Sequence, residues 1–166
     1  MMEGVKNMKN TFCVLYEFKY FGATCLFGGT FLQTEQEKMS LVDYNKAIKQ
    51  IQKEVRETKV GTISCINAED AYIQGPFVSC ILNLTQLQKK LRRSGKTFLI
   101  RYVEFNSERQ YQLGHYIFTN EEKISSPTLD PVATFKAFVK KLQNTIKEKM
   151  DKKTSKIIIT YIYELQ

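Results

Sequence analysis

Between Ala71 and Val103 the chain carries Lys89, Lys90, Arg92, Arg93, Lys96 and Arg101 and no acidic residue. Cations at that density attract phosphate backbones through counterion release. A second set, Lys136, Lys140 and Lys147, is spaced to share one helix face and would extend the footprint. The structural alternative is a pair of ordinary solvated helix surfaces.

Other chemistry is sparser. Glu17 and Glu104 each lie on a strand-like run, beside Tyr16 and near Tyr102, and a twofold arrangement would bring two carboxylates together for acid-base work. As single residues they would be strand-edge charges or partners for lysine. Glu69-Asp70 sits in a loop without a metal-ligand pattern, and His115, the single histidine, stands mid-strand. No phosphate-binding loop, dinucleotide fingerprint or nucleophile elbow is present. Cys13, Cys25, Cys65 and Cys80 include no Cys-x-x-Cys pair, so the expectation is four free thiols in a reducing compartment, with neither metal nor other cofactor.

The charge is unevenly shared. Residues 1 to 70 hold nine Lys/Arg against nine Asp/Glu, and residues 71 to 166 hold sixteen against eight, so the net charge of +8 arises in the second part. Hydrophobic residues make up 43% of 166 residues, enough for a real core. No apolar run approaches the roughly 20 residues of a membrane-spanning helix, and no signal-peptide pattern opens the chain. A soluble, cytoplasmic protein is expected.

The elements that must position these groups follow from periodicity. Alternation predicts strands over Thr11 to Phe21 and Ala23 to Gln33, where Gly28-Gly29 suggests a bulge or close approach. Ser40 and Asp43 start a helix reaching about Glu57, with Leu41, Tyr44, Ile48, Ile51 and Val55 as its apolar stripe. Val60 to Ile66 reads as a strand, and Asn67 to Pro76 as a boundary. Beyond it come a strand at Phe77 to Leu82, a short helix marked by Leu84, Leu87 and Leu91, strands at Thr97 to Phe105 and Arg109 to Thr119, a helix opened by Asp130-Pro131, and a strand at Lys156 to Leu165. Val132, Phe135, Phe138, Val139, Leu142, Ile146 and Met150 form the last helix's buried face.

The halves resemble each other. Gly29, Phe31, Leu32 and Thr34 meet Gly114, Tyr116, Ile117 and Thr119 at one spacing, Thr11-Phe12 and Tyr16 meet Thr97-Phe98 and Tyr102 at nearly the same one, and Tyr44 to Gln52 meets Phe135 to Gln143. The rival explanation is that hairpins and amphipathic helices share patterns generically. The expected fold is α+β, with an extension at 1–10, a strand-strand-helix-strand unit at 11–70, and a second unit at 71–166 whose added strand and helix make it ferredoxin-like, all in one compact body.

Cys80-Ile81-Leu82-Asn83-Leu84 resembles the first signature of the RNA-recognition motif, and Tyr111 to Phe118 stands where its aromatic signature would fall. Leu113, His115 and Cys80 occupy positions where that family wants stacking rings, so membership is not assigned. The residues point first to a non-catalytic binding protein whose basic second half docks on nucleic acid or a nucleoprotein complex. The alternative is a protein-interaction or inhibitory module acting on a protein partner. An enzyme using Glu17 and Glu104 comes third, and no membrane partner is expected.

Overall fold

The computed structural model describes residues 9–20, 23–57, 73–106, 111–121, 130–150 and 155–165. Strand β1 (Asn10–Tyr20) is the centre of an antiparallel three-stranded sheet, flanked by β2 (Ala23–Thr34) and β3 (Ile73–Asn83). Period-two alternation turns Val14, Tyr16 and Phe18 to one face, where Ala47, Ile51 and Val55 of helix α1 (Leu41–Glu57) pack on them. Ser40 caps that helix reciprocally with Asp43: Ser40 Oγ accepts from the Asp43 N–H at 3.1 Å, and Asp43 Oδ2 accepts from the Ser40 N–H at 3.4 Å. The buried stripe is narrower than the expected one. Leu41, the first residue of the helix, is 76% exposed, while Tyr44 and Ile48 are half-buried.

Strand β3 carries the largest correction. It pairs with β1, not with any strand of the second half, and the chain divides into the compact units Met1–Asn83 and Leu84–Gln166. The expected strand-helix-strand-strand-helix-strand order is present along the chain, but its first strand joins the other sheet, so the second half does not form a ferredoxin-like sheet. Gly75-Pro76 lies inside β3 rather than at a boundary: Gly75 takes a φ of +134°, and a Cβ there would meet Glu17 O at 3.1 Å, so the turn-like residues serve a close approach to β1. The expected strand at Val60 to Ile66 lies outside the described residues, as do most of the extension at 1–10, Cys65 and the Glu69-Asp70 pair.

The second unit begins with helix α2 (Leu84–Leu91), followed by β4 (Lys96–Phe105), β5 (Tyr111–Asn120), helix α3 (Pro131–Lys149) and β6 (Lys156–Leu165). Its antiparallel sheet has the order β5-β4-β6. Phe138 of α3 meets Phe98 and Phe118 edge-on at ring separations of 5.4 and 5.8 Å, which anchors the helix to one face of the sheet. Asp130 Oδ1 accepts from the Ala133 N–H at 2.7 Å, with Pro131 in the first turn as expected. A buried hydrogen bond of 3.0 Å from Gln88 Nε2 to Thr134 Oγ1 ties α2 to α3. Met150, expected on the buried face, follows the helix end and is 45% exposed.

The two units repeat the same local devices. Tyr16 stands opposite Gly28, and Tyr102 opposite Gly114. A bulge falls just before each tyrosine, and at each a hydroxyl bonds the central strand: Ser79 Oγ donates to Leu15 O at 3.1 Å, Thr160 Oγ1 to Arg101 O at 3.2 Å. Ala47, Ile51 and Val55 are buried on α1 at the same spacing of four at which Phe138, Leu142 and Ile146 are buried on α3. The strand match needs a shift of one residue, because Gly28 and not Gly29 is the counterpart of Gly114. In a pleated strand a one-residue slip exchanges the faces.

Candidate nucleic-acid interface

Helix α2 turns Leu84, Leu87, Gln88 and Leu91 inward, which leaves Lys89 exposed, and the chain leaving it exposes Arg92 and Arg93. Lys90 and Lys96 behave differently. Both converge on the half-buried Glu164 of β6: Lys90 Nζ forms a short ion pair with Oε2, and Lys96 Nζ lies 3.4 Å from Oε1. The hydrogen bond from Lys90 leads the effects that hold the Glu164 carboxyl below its ordinary range. These two cations serve the fold as much as any partner.

Arg101 is exposed on β4, its guanidinium carbon 5.1 Å from the centroid of the Tyr161 ring. Lys136 and Lys140 are exposed on α3 and Lys147 is half-buried. The expected cations thus divide between the helix side of the unit and the opposite, outer face of its sheet. The asymmetry of charge follows the structural division: residues 84 to 166 hold sixteen Lys/Arg against eight Asp/Glu, and the first unit is balanced at nine against nine.

No protein-family model, curated protein or solved structure matches the chain.

Glu17 and Glu104 do not hold equivalent places on their strands. Glu17 follows Tyr16 by one residue, and Glu104 follows Tyr102 by two, so the two occupy opposite faces of their sheets relative to the packed helix. Glu17 lies 3.9 Å from Lys19 on its own strand. Glu104 is buried and helps line a cleft of about 300 Å³ with Tyr102, Gln112, Leu113, His115 and Met150. Burial, then the charge of Glu104, pushes the Tyr102 hydroxyl up. Tyr16 is raised to about 12, by burial and then by Glu54. Both shifts favour the neutral, protonated phenol.

His115 is exposed on the outer face directly opposite Arg101. Cys13 and Cys80 are free and buried, and burial, helped by the neighbouring Cys80, pushes the Cys13 thiol up to about 12. Among the described residues no group of three side chains is placed to hold a metal ion, and no helix is long and apolar enough to cross a membrane. The strands bearing the two stretches that resemble the RNA-recognition motif belong to different sheets, so they do not form that family's paired central strands.

One feature escaped the sequence reading. Tyr161 and Tyr163 stack on the outer face at a centroid distance of 6.3 Å and 11° between ring planes. Their alternation within β6 was a usable signal, since residues two apart on a strand share a face.

Proposed function

We propose that this chain is a non-catalytic binding protein whose second unit docks on nucleic acid or a nucleoprotein complex. The observation that carries the reading is the confinement of the whole net charge of +8 to residues 84 to 166. Exposed Lys89, Arg93, Arg101 and Lys140 display part of that charge on the surface. A surface of this kind raises the local concentration of polyanions and speeds their association. Lys90 and Lys96 contribute less, because Glu164 already compensates them.

The test is binding of labelled oligonucleotides at several salt concentrations, wild type beside a Lys89→Glu, Arg93→Glu, Lys140→Glu variant. Each lost phosphate contact lowers the slope of log affinity against log salt by about one. A variant with unchanged affinity and slope overturns the reading. A second reading, a protein-interaction or inhibitory module, draws on Leu41 and Val42, which open helix α1 at 76% and 63% exposure. Binding to a protein partner with a flat salt dependence would favour it.

We also infer that the two units descend from one duplicated strand-strand-helix-strand element. The support is the coincidence of independent devices: the tyrosine over glycine, the hydroxyl-bonded bulge and three helix positions buried at the same spacing.

A further inference from the structure

The outer face of the second sheet is exposed around Arg101, His115 and Ile117, while Val103 farther along β4 is buried, and its residues form rows across three strands. One row is His115, Arg101 and Tyr161; the next is Ile117, Leu99 and Tyr163. Ile117 is 59% exposed, Tyr163 54%, and Leu113, farther along β5, 76%. Apolar side chains displayed together on a flat surface mark a binding site more often than an accident of folding. Among the described residues of the three strands no carboxylate lies on this face: β5 has none, and Glu104 and Glu164 point to the other side, since they stand in register with Gln112 and Phe98.

Resting on the nucleic-acid reading above, we infer that this face is a stacking platform for the unpaired bases of single-stranded nucleic acid. Two observations choose the occupant. The first is aromatic: Tyr161 and Tyr163 are already stacked, and Arg101 is planar and aligned over Tyr161, so rings and guanidinium offer π surfaces that receive any base. The second is charge. A second copy of the chain would bring +8 against +8, whereas a polyanion is drawn to an acid-free face on a unit of that charge. A duplex hides its base faces and gains nothing from the rings.

The experiment measures anisotropy of labelled oligothymidylate and oligouridylate of about 12 nucleotides, a length within the reach of one small sheet, against a duplex of equal length. Wild type is compared with Tyr163→Leu, which keeps an apolar strand residue and removes the ring, and with Arg101→Lys, which keeps the charge and removes the planar stack. The expected result is single-strand affinity exceeding duplex affinity, about tenfold weaker single-strand binding for Tyr163→Leu, and an unchanged salt slope for both variants. Stronger binding of one oligonucleotide over the other reports a preference set by the sugar and the thymine methyl together and supports the platform equally. Equal affinity for single strand and duplex, or full affinity in both variants, overturns the platform while leaving charge-driven docking intact. Absence of binding to every oligonucleotide at low salt overturns both. A concentration-dependent dimer in sedimentation that Tyr163→Leu dissociates also overturns it, because the face then belongs to a second copy.

Discussion

Gly114→Ala is the sharpest test of the packing between β4 and β5. A Cβ built at Gly114 would fall within 2.6 Å of three atoms at the far end of Tyr102, and ordinary carbon contacts lie at about 3.5–4.0 Å. The ring must therefore retreat by roughly 1 Å. Tyr102 is only 6% exposed, and Ile100, two residues away on the same face, is fully buried, so the retreat disturbs packed neighbours. Overpacking of this kind costs about 1–3 kcal/mol, and alanine returns about 0.5–1 kcal/mol by restricting the unfolded chain. The net loss lies between about 0 and 2.5 kcal/mol, centred on about 1 kcal/mol, measured by urea unfolding followed by circular dichroism. The cause is separable. In a Tyr102→Val background the obstructing ring is gone, and Gly114→Ala should become neutral or slightly stabilising, giving a coupling energy of about 2 kcal/mol. If alanine stabilises the wild type, or costs the same with and without the ring, the account of this contact is refuted.

Two further outcomes follow from the first unit. Asp43 is held below its ordinary 3.8 by hydrogen bonds from Ser40 and Thr34, so its contribution to stability is complete above that value and is lost as pH falls through the lower folded pKa. The melting-temperature difference between wild type and Asp43→Asn should therefore shrink on acidification, and a difference independent of pH would refute the cap. Cys13, with its thiol pushed up to about 12 inside the sheet, should react with a disulfide reagent at pH 8 only as fast as the protein unfolds. Rapid labelling of Cys13 in the native state, located by peptide mass spectrometry, would contradict its burial.

Local signals in the sequence were sound where the physics is local. Asp130-Pro131 and Ser40 with Asp43 start helices because a cap needs only residues within one turn. The stripe of Phe135, Phe138, Leu142 and Ile146 is buried because spacing of three and four defines one side of a helix wherever it docks. What failed was non-local. Nothing in Ile73–Asn83 announces that its partner is β1, which lies on the far side of a helix, and Gly75-Pro76 imitated a boundary while serving a close strand contact. Glu164 is likewise too distant in sequence from Lys90 and Lys96 for their pairing to be foreseen. The aromatic row was legible in part: the final strand's tyrosines alternate, but Arg101 joins them only once β6 is known to lie beside β4.

In both units the strand that begins the sheet is also its middle, with the hairpin partner on one side and the last strand on the other. During synthesis this separates two events in time. The hairpins β1–β2 and β4–β5 join strands that are near neighbours along the chain and can close quickly, while β3 and β6 must return past a whole helix. Until they do, one side of each central strand keeps its amides and carbonyls unpaired, a template for any passing extended chain. The interval between the emergence of each hairpin and the arrival of its third strand is therefore the period in which this protein is most exposed to mispairing, and the two units pass through it one after the other.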